Sequence, residues 1–132
     1  MQAVRELEVL GSPVAELGHS SDNPFADLFV RLSEVDARGR SRNVGDGFVR
    51  LGPSTAQGVV RVELDPVAHR FARGSRLRLL VAGGSHPRWE RNLGTGDDPA
   101  TATTMLPSHR KIDLSLSRLV VPVGSRLAVK VQ

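Results

Sequence analysis

The sequence predicts an all-β sandwich, and three observations carry that prediction. Apolar residues recur with a period of two rather than 3.6 along several stretches. Each such stretch offers one apolar and one mixed face, as the strands of an antiparallel sandwich require. Clusters of Gly, Pro, Asn and Asp punctuate the stretches, and most of the 13 glycines and 8 prolines fall in those gaps.

In chain order, the first strands are expected over residues 7–10 and 14–19, separated by Gly11-Ser12-Pro13. Asp22-Asn23-Pro24 marks the next turn. A strand over 28–35 then points Leu28, Val30 and Leu32 to the core and Phe29, Arg31, Ser33 and Val35 the other way. Asp36-Ala37-Arg38-Gly39 closes it. Residues 48–51 form a short strand ended by Gly52-Pro53, and residues 59–64 form another with Val60, Val62 and Leu64 inward. One short helical turn is expected next, with Asp65 as its N-cap, Pro66 at its first position and Gly74 at its end. A strand over 76–81 turns Leu77, Leu79 and Val81 inward. Two more are expected at 111–116 and 118–123 after a turn at Ser108-His109, and the tail 124–132 alternates Leu127, Val129 and Val131 as a further strand. Residues 83–100 show no period, and a loop of that length in a compact domain is usually functional or disordered.

The 132 residues fit one domain, spanning 1–132. Such a domain buries roughly two-thirds of the surface its unfolded chain exposes, so it needs no staples. It has no cysteine, which excludes disulfides, thiolate metal sites and cysteine nucleophiles. Charges interrupt the start Met1-Gln2-Ala3-Val4-Arg5-Glu6 at once, unlike a signal peptide, and no apolar run approaches the roughly 20 residues of a membrane span. A soluble, cytoplasmic chain with no membrane partner is expected. The net charge of +4 comes from 18 Lys and Arg against 14 Asp and Glu. The basic residues are spread along the chain rather than gathered in a stripe, and aromatics make up only 4%, so nucleic acid is not an expected partner.

The sequence holds few residues in chemically suggestive patterns. Gly83-Gly84-Ser85-His86-Pro87 falls short of the Gly-x-Ser-x-Gly elbow, because proline replaces the last glycine and no parallel strand leads into it. Ser85 reads as a loop serine that caps a turn. His19, His69, His86 and His109 show no metal-binding spacing and read as surface or loop histidines, with His69 on the helical turn. Asp97-Asp98 reads as a solvated acidic turn rather than a calcium loop, and Asp46 as a residue that orders a turn. No catalytic residue, cofactor site or metal site is therefore assigned. Trp89, the one tryptophan, has two readings: it packs back on its own domain, or it anchors a contact, since Trp and Arg are enriched at interface hot spots.

A set of stretches in order carries a family resemblance. The first runs from Ser20-Ser21-Asp22-Asn23-Pro24-Phe25-Ala26-Asp27 into Leu28-Phe29-Val30-Arg31-Leu32, followed by Val35-Asp36-Ala37-Arg38-Gly39-Arg40 and Asp46-Gly47. Leu64-Asp65-Pro66-Val67-Ala68-His69-Arg70-Phe71 and Gly74-Ser75-Arg76-Leu77 come next. Ser85-His86-Pro87-Arg88-Trp89-Glu90-Arg91-Asn92-Leu93-Gly94-Thr95-Gly96 and Ser117-Arg118-Leu119-Val120-Val121-Pro122-Val123 complete the set. Over roughly residues 4–123 the chain resembles the C-terminal non-catalytic domain shared by X-Pro dipeptidyl-peptidases, cocaine esterase and α-amino acid ester hydrolases.

The resemblance implies a galactose-binding-like jelly-roll β-sandwich that accompanies an α/β-hydrolase domain. In the family the Ser-Asp-His triad belongs to that other domain, so no catalytic residue maps here. The implied role is accessory: packing on the hydrolase domain, in cis or in trans, and shaping its substrate entrance. The expected contact residues are His86, Pro87, Arg88, Trp89, Arg91 and Asn92, with Asp22, Phe25 and Asp27 as a second group. The family's first strand-bearing segment is missing or shortened before Val4, which leaves an edge open to self-association, and 124–132 is an extension. The alternative reading is an independent carbohydrate-binding or other ligand-binding module.

Overall fold

The computed structural model describes residues 6–123 and the backbone of 127–130. Among the described residues, nine strands form: β1 (Leu7–Gly11), β2 (Val14–Ser21), β3 (Asp27–Val35), β4 (Ser41–Arg50), β5 (Gly58–Glu63), β6 (Val67–Phe71), β7 (Arg76–Ala82), β8 (Arg110–Val121) and β9 (Leu127–Lys130). They make three antiparallel sheets, ordered β5-β2-β8-β9, β4-β3-β7 and β1-β6. The all-β sandwich class therefore holds.

The period-two reading explains the core. Leu28, Val30 and Leu32 of β3, Val60 and Val62 of β5 with Leu64 after it, and Ala15 and Leu17 of β2 are all buried. They pack with Phe71, Leu77, Leu119 and Val121 into one cluster, with Leu79 and Val81 partly buried against it. Burying a Leu or Val side chain is worth about 1.5–3 kcal/mol, so this cluster drives folding.

Four differences from the sequence reading have physical reasons. First, the expected helical turn after Asp65 is strand β6. Val67, His69 and Phe71 turn inward while Ala68 and Arg70 stay exposed, and the strand pairs with β1 from Leu7↔Phe71 to Gly11↔Val67. Pro66 sits just ahead of it, a position as compatible with entering a strand as with starting a helix. Gly74 serves a turn instead, where Ser75 N–H donates to Ala72 O at 3.0 Å. Second, β4 begins at Ser41, ahead of the expected 48. Its first half is polar and carries a bulge opposite Leu32 and Ser33 of β3, so it shows no clean alternation.

Third, strands expected at 111–116 and 118–123 are one strand, β8, whose register against β2 shifts between Glu16 and Gly18. Ser117 bridges that irregularity: its Oγ accepts from Gly18 N–H at 3.0 Å and donates to Asp113 O at 2.6 Å. Gly18 must be glycine there, because a Cβ would lie 2.7 Å from Leu116 Cβ. Fourth, the second face of β3 is not left to solvent, since Phe29, Ser33 and Val35 are buried as well. The tail strand exists over Leu127–Lys130 against β8, while Val131 and Val4 lie outside the described residues. No helix among the described residues is long and apolar enough to cross a membrane.

Candidate functional site

At Phe29 the second face of β3 is covered by the connection between β7 and β8, residues 83–109. Phe29 on β3 and Phe48 on β4 are register partners, so their side chains stand together on the outer face. Trp89 lies over both. Its ring stacks on Phe48 at 4.8 Å with a 6° interplanar angle, and tilts against Phe29 at 5.6 Å. Arg88 places its guanidinium over the Trp89 ring, 4.2 Å from the centroid. With a phenyl ring and a guanidinium over it, the indole has no open face to present as a stacking platform. Trp89 thus packs back on its own domain.

A charged row beside the aromatics fixes the same loop. Arg31 and Asp46 are also register partners and form a two-pronged ion pair at 2.7 and 2.9 Å. Arg88 reaches from the loop to the same Asp46 carboxylate and to Asp65, 3.3 Å away. The Arg31 guanidinium, helped by Arg88, holds the Asp46 carboxyl below the usual carboxylate range against the opposing effect of burial. Asp46 therefore lies on strand β4 and anchors a loop, rather than ordering a turn as expected.

The two segments singled out from the sequence meet at Asp27. This carboxylate is 2% exposed. It accepts from Arg50 at 3.0 Å on each oxygen and from Asn92 Nδ2 at 2.9 Å. Arg50 in turn donates to Glu90 O at 2.6 Å, and Arg110 donates to the Asp27 carbonyl. Asn23 Nδ2 donates to Gly94 O at 2.8 Å, while Gly94 N–H donates to Asn92 Oδ1 at 2.9 Å. Gly94 and Gly96 both have positive φ, and a Cβ on Gly96 would run into the Phe25 ring at 2.6 Å. At the loop's far end, His109 N–H donates to Asp22 Oδ1 at 2.7 Å and its Nδ1 lies 2.9 Å from Oδ2. Those contacts hold the Asp22 carboxyl below its usual range.

The nine residues expected at a contact surface therefore divide. Trp89, Asn92, Phe25 and Asp27 are at least half-buried and serve to hold the loop; His86, Pro87, Arg88, Arg91 and Asp22 are exposed. Sequence reasoning missed the apolar part of this surface. Met105 and Leu106 are 62% and 58% exposed, on a stretch pinned by Leu106 N–H donating to Leu93 O at 2.8 Å. They lie beyond residue 100, where the irregular stretch had been expected to end.

Among the described residues, the remaining chemistry-bearing side chains have these surroundings. Glu34, 8% exposed, accepts from Ser75 Oγ at 2.6 Å and Ala72 N–H at 2.8 Å, and lies 2.7 Å from His69 Nε2. Burial pushes its carboxyl up, but these bonds outweigh it and hold the pKa below the ordinary value. In this trio the carboxylate sits between serine and histidine, so the hydroxyl gives its proton's bond to the acid and no imidazole activates it. Neither His69 nor His19 is a surface histidine as expected. His19 is 3% exposed on β2, its Nδ1 2.5 Å from Ala56 O. Asp98 caps a turn through Ala100 N–H at 2.9 Å. Among the described residues, no three His, Cys, Asp or Glu side chains gather as a metal site would require.

Comparison with known proteins is consistent with the β-sandwich described above. Residues 1–111 match the family described as the X-Pro dipeptidyl-peptidase C-terminal non-catalytic domain. No curated protein matches in sequence. Among solved structures, an aminopeptidase from the marine sediment archaeon Thaumarchaeota archaeon is similar over 95% of this chain, with TM-score 0.79 and 19% identity. An α-amino acid ester hydrolase is similar over 92%, with TM-score 0.78 and 19% identity. A CocE/NonD family hydrolase from Staphylococcus aureus is similar over 90%, with TM-score 0.59 and 18% identity. At these identities the likeness is one of fold. The chain spans only 25%, 24% and 29% of those three proteins' own lengths. With most of its length matched, this chain belongs to the family of C-terminal non-catalytic domains of X-Pro dipeptidyl-peptidases.

Proposed function

We propose that this domain packs on an α/β-hydrolase domain through the surface of the 83–109 loop and shapes the entrance to that domain's active site. One observation carries the reading. The loop is held to its own sheet by the Trp89 stack, the Arg88–Asp46 pair and the Asn92–Asp27 bond, yet it leaves Met105 and Leu106 exposed. A rigid platform with apolar groups at its surface loses little freedom on docking, which is how preorganised contacts gain affinity. His86, Pro87, Arg88, Arg91 and Asp22 form the polar rim of that contact, as interfaces commonly have. The proposed partner carries the chemistry, which is acyl transfer to water from an ester or an X-Pro amide.

Co-purification of this chain with a separately expressed α/β-hydrolase domain from the same genome tests the reading, with hydrolysis of a chromogenic ester as readout. A stable complex is expected, more active or more heat-stable than the catalytic domain alone, and weakened about tenfold or more by a double Met105→Asp, Leu106→Asp change. A folded chain that forms no complex would move the weight to an independent ligand-binding module.

A further inference from the structure

The opposite side of the sandwich carries a second surface, away from the hydrolase contact proposed above. Along β5, β2 and β8 the outward positions are largely charged: acidic Glu63, Glu16 and Asp113 are matched by basic Arg61, Arg118 and Lys111. Glu16 pairs with Arg118, and Arg61 lies 3.5 Å from Glu63. These three acidic and three basic residues balance one another although the chain carries +4. Its middle row breaks the polar pattern. Val59 stands opposite Gly18 and is 60% exposed. Leu116, 59% exposed, leans over the same glycine from the excursion of β8, and Leu114 on that excursion is 56% exposed. Beside Leu116 opens a groove of about 420 Å³, lined by Gly18, Ser20, Gly58 and Lys111 among others.

We propose that this face is a self-association surface, on which two copies of the chain pair about a two-fold axis. A contact between identical faces must be self-complementary, so that each feature meets its own counterpart across the axis. This face has the parts. Leu116 projects next to a hollow whose floor is made of glycine positions, so each copy's Leu116 enters the other's groove. Lys111 and Asp113, two residues apart on β8, exchange partners across the axis. The matched charges remove the repulsion that a copy would meet elsewhere on a basic chain.

The size of the patch sets the strength. Three strands at roughly 4.8 Å spacing and four or five residues along each give a footprint of about 15 by 15 Å. That is well short of the roughly 800 Å² per partner of a standard interface. The dimer is therefore weak, with a Kd of roughly 10–500 µM.

Sedimentation of the chain between about 10 µM and 1 mM tests the proposal, since that range brackets the expected Kd. The mass should rise toward twice that of the monomer. Leu116→Asp and, separately, Val59→Lys should remain monomeric throughout with unchanged circular dichroism and Tm, and Leu106→Asp on the other side should dimerise like the parent chain. Three results would overturn it: a monomer at the highest concentration, a dimer that survives both changes, or a monomer whose complex with the hydrolase domain is lost on Leu116→Asp. The last would make this face a contact within the hydrolase assembly, whereas failure of the Met105/Leu106 experiment alone leaves the dimer standing.

Discussion

The two outer faces of the sandwich began from similar strand patterns and ended differently. On the β4-β3-β7 side, outward Phe29, Phe48, Arg31 and Asp46 are roofed by residues 83–109. On the β5-β2-β8 side, outward Glu16 pairs with Arg118 and Arg61 with Glu63 in solvent, and Val59 and Leu116 stay bare. What separates them is the aromatic pair. Two phenyl rings in register offer a flat apolar surface that a tryptophan can cover, and a covering loop can then spend its polar groups on the strand-borne charges. Alternation alone says which residues share a face; it does not say which face the chain itself will cover.

The contrast can be broken most forcefully at Trp89. Trp89→Ala removes the stack on Phe48 and the contact with Phe29, and should cost about 3 kcal/mol in urea unfolding, with amide protection lost across 85–94. Retained stability would mean that the loop is held by its polar contacts alone. Asp27→Ala should come next, at about 2 kcal/mol by the same measurement. It strips the partner from Arg50 and Asn92, but Arg50 is part-exposed and water softens the loss.

Acid should act through two carboxylates with built-in partners, Asp46 under the roofing loop and Glu34 on the core side of β3 beside His69 and Ser75. Glu34 and Asp46 have folded pKa values below their unfolded ones. Their contribution is complete above the unfolded carboxylate pKa and is lost as pH falls through the folded values. Unfolding free energy should therefore decline below about pH 4.5, and Glu34→Gln should lower stability at neutral pH while flattening part of that decline. An unchanged slope would remove Glu34 from the account. Smallest of all is the effect expected on the bare face, where Leu116→Asp should shift monomer stability by no more than about 0.5 kcal/mol.

How much of this was legible beforehand follows from where the signals lie. The core faces of β3 and β5 were readable because Leu28, Val30, Leu32 and Val60, Val62, Leu64 alternate with polar or outward residues over one uninterrupted run. Strand β6 was misread because Asp65-Pro66 is a helix-start signal by local chemistry, while the inward Val67, His69 and Phe71 depend on pairing with β1, some sixty residues away. Of the site, the sequence pointed to the right two segments but not to their division of labour. Asp27 and Asn92 look like surface residues until Arg50, from a third segment, brings them together. Met105 and Leu106 follow a run of small and polar residues, so nothing local distinguishes them from a loop's ordinary apolar residues.

The central claim is that the roofed side is the one that faces the hydrolase domain. Hydrogen–deuterium exchange of this chain, alone and mixed with that catalytic domain, tests it most directly. The account predicts new protection at 86–92 and 103–109 with 57–61 and 111–116 unchanged by the partner. Protection confined to 57–61 and 111–116, with the 83–109 loop exchanging as in the free chain, would contradict it.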